Sequence, residues 1–184
     1  MNAIAKFVLV NVFGWKIIGD FPDFKKSILI FAPHTSYYDG LFGKLYMMSL
    51  GVHYKFLSKK EFFRFPLKYF FKAYGSIPVD ESRKYIDQIV ELFHDSQELH
   101  ILISPEGQLA KTNRWKKGFY YMATKAKVPI VVGYMDYTKK EIGIKGIVEV
   151  IESFNDTMLK ISDMYKDVKG KNPENFALDK RLSK

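Results

Sequence analysis

Cysteine is absent from this 184-residue chain. Disulfides, thiolate metal sites and a covalent intermediate on cysteine sulfur are thereby excluded, and the chain suits a reducing compartment. Long apolar runs are also missing. Phe7 to Trp15 is uncharged but spans only nine residues between Lys6 and Lys16, whereas a membrane-crossing helix needs about twenty. No small-residue cleavage pattern follows that stretch, which argues against a secretory leader. Acidic residues are in deficit, 20 against 29 lysines and arginines, for a formal charge of +9. Such a balance favours anionic partners: membrane headgroups, nucleic acid or an acidic protein. Internal repeats and linker-like composition are lacking, so one domain is expected over residues 1–184.

What is present is a core. Hydrophobic residues make up 47% of the chain, with 16 phenylalanines and 12 tyrosines, which excludes disorder. Apolar spacing predicts a helix over 3–13, on which Ile4, Phe7, Val8, Val12 and Trp15 recur at helical intervals. That face fits an interfacial helix lying on lipid or one packed on the protein's own core. A turn follows near Gly19 to Asp23. Ser27 to Ala32 reads as a buried strand stopped by Pro33. Helix is predicted for Tyr38 to Leu50, ended by Gly51. Tyr54 to Leu57 reads as strand, Pro66 to Ala73 as helix, Gly75 to Val79 as strand and Ser82 to Asp95 as helix. Leu99 to Ile103 is a further strand. A polar loop over Ser104 to Lys117 precedes a helix from Gly118 to Ala126. Pro129 to Tyr134 is read as strand, and Glu141 to Ile151 as a hairpin turning at Gly146. Asn155 to Val168 is the last helix, capped by Asn155, before a polar tail from Lys169 expected to be mobile at its end. Strands alternating with helices predict an α/β fold: a mixed, mostly parallel sheet flanked by helices.

In such sheets ligands gather beyond the carboxyl ends of the strands. Two polar loops occupy that position. His34-Thr-Ser-Tyr-Tyr-Asp39 follows the first buried strand, and Ser104-Pro-Glu-Gly107 follows Leu99 to Ile103. Ser36-Tyr-Tyr-Asp39 reads as a capping box with Ser36 as N-cap, turning the Asp39 carboxylate back toward the histidine loop. Asp39 then holds one ring nitrogen of His34 while the other accepts a substrate proton, work suited to an imidazole. The bland alternative leaves Asp39 a simple cap and His34 an ordinary loop residue. Glu106 and Gly107 suit hydroxyl recognition and close backbone approach, and suit equally a plain Pro-Glu-Gly turn.

These blocks resemble the phospholipid/glycerol acyltransferase superfamily, of the lysophosphatidic acid acyltransferase (PlsC-like) type, from about Ile28 to Tyr134. His34 and Asp39 match its H-x4-D motif, Gly75-Ser-Ile-Pro-Val-Asp80 its second block, Ser104-Pro-Glu-Gly107 its P-E-G block and Val128-Pro129-Ile130 its V-P-I block. The resemblance implies a glycerol-phosphate-acyltransferase-like fold, with residues 1–22 as an N-terminal membrane-interface helix, 23–151 as catalytic core and 152–184 as C-terminal helix and tail. It implies that His34, oriented by Asp39, deprotonates the hydroxyl of a lysolipid such as 1-acyl-glycerol-3-phosphate, which attacks an acyl thioester on coenzyme A or acyl carrier protein. No metal or resident cofactor is implied. Glu106 and Gly107 would bind the acceptor, and Ser36, Gln108, Arg83 and Lys111 are further candidates beside it.

The departures concern the acceptor. Glu81 stands where the second block ends in arginine, and Gln108-Leu109-Ala110 follows Pro-Glu-Gly where Thr-Arg-Ser is usual. Neither glutamate nor leucine reproduces the bidentate grip of arginine on phosphate. Cations at shifted positions, namely Arg83, Lys111, Arg114, Lys116 or Lys117, answer this departure; so does an acceptor without a phosphate monoester, a lysophospholipid or a lyso-aminolipid, and the acceptor is expected to differ from plain lysophosphatidate. A non-catalytic lipid-binding module is the other alternative. The basic, aromatic segment Tyr54 to Tyr74 suits an anionic membrane surface or acidic acyl carrier protein. Nucleic acid is not expected, since no recognition motif accompanies the charge. A serine hydrolase using Ser36 or Ser104 is disfavoured by the missing G-x-S-x-G elbow. The expected location is cytoplasmic, peripheral on the inner face of the cell membrane. His53, His94 and His100 carry no motif.

Overall fold

A computed structural model describes residues 2–63, 69, 75–79, 84–149 and 153–179. Among them, seven strands form one sheet: β1 (Lys16–Ile18), β2 (Lys26–Ala32), β3 (Lys55–Lys59), β4 (Ser76–Val79), β5 (Leu99–Ile103), β6 (Ile130–Asp136) and β7 (Glu141–Val148). Their spatial order is β1-β7-β6-β2-β5-β3-β4. From β6 to β4 every pairing is parallel; β7 runs antiparallel to β6, and β1 joins β7 in parallel. The helices are α1 (Ala3–Phe7), α2 (Tyr38–Leu50), α3 (Lys84–Asp95), α4 (Gly118–Ala126) and α5 (Phe154–Tyr165), with a π-helical turn over Val8–Val12 after α1.

Strand β2 explains the layering. A central parallel strand is covered on both faces, so it reads as a continuous apolar run, and Ile28, Leu29 and Ile30 are all fully buried. Successive side chains alternate faces. Ile28 and Ile30 meet Ile89 and Phe93 of α3, Phe119 and Met122 of α4, and Met158, Ile161 and Tyr165 of α5. Leu29 points to the opposite layer, where Leu9, Trp15, Phe42, Tyr46 and Met47 pack. The expected mixed, mostly parallel α/β sheet with helices on both faces is the observed one.

Several elements differ from the reading of the sequence. The N-terminal helix is divided between core and solvent: Ala5, Leu9 and Trp15 are buried, while Ile4, Phe7 and Val12 are 76%, 59% and 63% exposed. Of the two alternatives for this face, Trp15 takes the core one, against Phe42 and Tyr137. Glu141 to Val148 is one strand and not a hairpin at Gly146; the hairpin partner is β6, through residues 137–140. Gly146 looked like a turn because glycine is a turn residue. It lies instead inside β7, with the Met164 side chain packed 2.9 Å from where a Cβ would stand and a register irregularity nearby in the β6–β7 ladder. Helix α5 is capped by Ser153, whose Oγ accepts from the Asp156 N–H, and not by Asn155; it ends at Tyr165, short of Val168.

The end of the polar tail, where mobility is expected, falls in residues 180–184, and the part before it is held. Residues 166–179 dock on the body, with Val168, Gly170 and Asp179 buried. The predicted helix over Pro66 to Ala73, apart from Tyr69, and residues 180–184 lie outside the described residues.

Candidate active site

Three parallel neighbours, β6-β2-β5, deliver three loops to one rim. Ile30 of β2 pairs with Ile103 of β5 and with Val132 of β6. The histidine loop therefore emerges between the Pro-Glu-Gly loop and the β6–β7 turn. The two polar loops singled out in the sequence are neighbours.

Asp39 sits in the first turn of α2 with its side chain 7% exposed. Burying a carboxylate is costly unless its lone pairs are filled, and four donors fill them. Oδ2 accepts from His34 Nδ1 at 3.2 Å, Thr35 N at 2.8 Å and Ser36 N at 2.9 Å. Oδ1 accepts from the Tyr137 hydroxyl at 2.6 Å. The backward reach of a capping box is present, although the residue preceding the helix is Tyr37 and not Ser36; Ser36 Oγ accepts from Tyr38 N at 3.3 Å.

A carboxylate only accepts, so the proton of neutral His34 lies on Nδ1 and Nε2 carries the lone pair. The imidazole keeps 31% of its surface open. An accessible basic nitrogen with its far side braced by a carboxylate can take a proton from a bound hydroxyl.

Glu106 is 4% exposed and ties the second loop to the first. Its Oε1 accepts from the His34 backbone N–H at 2.9 Å and its Oε2 from the Ser104 hydroxyl at 2.8 Å. Burial pushes its carboxyl above the ordinary range, opposed by those same donors. Gly107 follows at φ +69, a conformation costly for residues with a Cβ. It is exposed at the rim, and the stem of Lys116 lies across it, 3.0 Å from where a Cβ would stand.

The remaining sequence candidates are not gathered as closely. Gln108 is exposed, its amide donating to Ala110 O in its own loop at 3.2 Å. Lys111 is exposed on the same loop. Lys117 has its ammonium 4.4 Å over the Phe154 ring. Arg83 lies outside the described residues. Among the described residues, no cluster of three or more His, Asp or Glu could hold a metal ion.

Two contributors were not foreseen. Tyr137, 98 residues from Asp39, carries no local motif. The C-terminal segment braces the histidine loop: Asn172 Nδ2 donates to Thr35 O at 2.8 Å and Asn172 N to Thr35 Oγ1 at 3.2 Å. Gly170 lies so close that a Cβ would stand 2.6 Å from Thr35 Oγ1. The same segment reaches the loop after Gly107, where Trp115 N and Nε1 donate to Asp179 Oδ2 and Ala177 O.

A family model described as Acyltransferase matches residues 16–135. Among curated proteins no sequence match is found. The fold is similar to that in the crystal structure of the 1-acyl-sn-glycerophosphate (LPA) acyltransferase, PlsC, from Thermotoga maritima. That likeness has a TM-score of 0.64 and covers 88% of this chain and 73% of the other at 16% identity.

Proposed function

The chain belongs to the acyltransferase family, and from that premise we propose that it moves a fatty acyl group from an acyl thioester, acyl-CoA or acyl carrier protein, to the hydroxyl of a lysolipid. The observation that carries this is the His34–Asp39 pair at 3.2 Å with the imidazole open to substrate. His34 Nε2 removes the hydroxyl proton as the oxygen attacks the thioester carbonyl. The tetrahedral intermediate collapses to an ester and expels the thiolate, which recovers the proton from the imidazolium. Glu106 sets the distance between the loops, and the backbone at Gly107 approaches the acceptor.

The acceptor we favour carries phosphate, as 1-acyl-glycerol-3-phosphate does. The support is Lys116, whose side chain crosses Gly107 and makes no ion pair among the described residues. It offers a point charge beside Gly107 in a sequence that lacks the family's two arginines. Those same replacements favour the second reading, a lyso-aminolipid acceptor with no phosphate monoester.

Docking to an anionic lipid surface fits exposed Ile4, Phe7 and Val12 beside Lys6. No helix among the described residues is long and apolar enough to cross a membrane. A peripheral position on the inner face of the cell membrane follows from this reading. Purified protein assayed with both donors against a panel of lysolipids tests the proposal. Lysophosphatidate is expected to lead, and Lys116→Ala to raise its KM about tenfold or more, since charge-assisted hydrogen bonds are the strong ones. Better use of an uncharged or zwitterionic lysolipid overturns the phosphate acceptor, and no ester with any acceptor overturns the enzyme.

A further inference from the structure

Tyr137 lies two residues beyond the stretch that matches the family, in the turn between β6 and β7. Besides His34, it is the side-chain donor to Asp39 among the described residues, at 2.6 Å on the oxygen that His34 does not use. Its ring is fixed on two sides, centroids 5.0 Å from Trp15 and 6.2 Å from Phe42, while its backbone N–H donates to Lys169 O at 2.9 Å. Four parts of the molecule thus converge to aim one phenol at one carboxylate oxygen.

We propose that Tyr137 is a positioning residue of the transfer reaction: its hydroxyl locks the Asp39 carboxylate in the orientation that braces His34 and draws negative charge away from the imidazole. The role in catalysis rests on the acyl-transfer reading above. A hydrogen bond from a phenol withdraws electron density from the carboxylate. Removing that donor returns electron density to the carboxylate and strengthens its attraction for a protonated imidazole. Burial and the adjoining Asp39 push the Tyr137 hydroxyl well above the ordinary phenol range, so it stays a donor throughout.

Among the described residues, the other ionisable groups near the pair include buried Asp136 at the end of β6, whose Oδ1 accepts from Thr138 N and Lys139 N. Glu106, from the loop after β5, takes the His34 backbone N–H. Lys171, from the C-terminal segment, lies 3.4 Å over the Tyr38 ring and makes no bond to Asp39. The Tyr165 hydroxyl of α5 donates to Gly133 O at 2.6 Å.

The test is Tyr137→Phe, which keeps the ring and removes only the donor. Titration of the His34 ring by NMR, assigned with His34→Ala, is expected to show its midpoint raised by about half a unit or more. The acid limb of kcat/KM is expected to move the same way, with kcat lowered about tenfold and KM little changed. Phe42→Leu, which loosens the ring but keeps the phenol, gives a smaller shift of the same sign. An unmoved midpoint in Tyr137→Phe overturns the proposal, as does a rate loss that merely follows a fall in thermal stability. The ring titration needs no turnover, so an inactive wild-type protein would defeat the acyl-transfer reading and leave Tyr137 still measurable.

Discussion

Two buried carboxylates meet the demands of burial differently. Asp39 takes four donors, three from the histidine loop on Oδ2 and one from the β6–β7 turn on Oδ1. Glu106 has two donors and deeper burial, and its carboxyl is raised above its ordinary 4.5. The folded state therefore holds the Glu106 proton more tightly than the unfolded chain. Its contribution to stability is complete below the unfolded value and is lost as pH rises through the higher folded value. Glu106→Gln keeps an acceptor for the His34 N–H and removes this titration. Urea melts across pH are expected to show the wild type losing stability relative to the variant as pH climbs above 4.5; parallel curves would contradict the assignment. The H-x4-D spacing made His34 and Asp39 legible in the sequence. Glu106 was legible as a candidate, but its bond to the His34 backbone was not, because a Pro-Glu-Gly turn does not reveal its partner.

Elements with strong periodicity were read almost to the residue. Helices α2 and α4 begin and end where the pattern placed them, since Gly51 takes the left-handed conformation that closes α2. Strand β1 was missed because three residues paired to β7 carry no pattern of their own. The docking of the C-terminal segment was not foreseen, for a related reason. It is held by particular hydrogen bonds from Asn172 and to Ala177 and Asp179, with no amphipathic repeat to announce it. Those bonds tie the histidine loop to the loop beyond Gly107. Asn172→Ala removes the bond to Thr35 O, a loss of about 0.5–1.5 kcal/mol. A melting temperature lower by about 2–4 °C is expected, with turnover about threefold slower as the histidine loop loosens. Unchanged turnover would reduce the segment to a stabilising wrap.

Taken whole, the molecule joins a basic, partly apolar exterior to one rim of a parallel sheet. The proposed membrane attachment rests on the charge of +9 and the exposed Ile4, Phe7 and Val12; the proposed transfer rests on the three loops after β2, β5 and β6. If these roles are separate, catalysis is removable without disturbing attachment. His34→Ala tests this most directly, with acyl transfer and sedimentation with anionic vesicles measured on the same preparation. Vesicle binding is expected to stay at the wild-type level while transfer from the acyl thioester falls by at least 10² to 10⁴, the usual worth of a general base. Transfer that survives the loss of this imidazole would contradict the account at its centre.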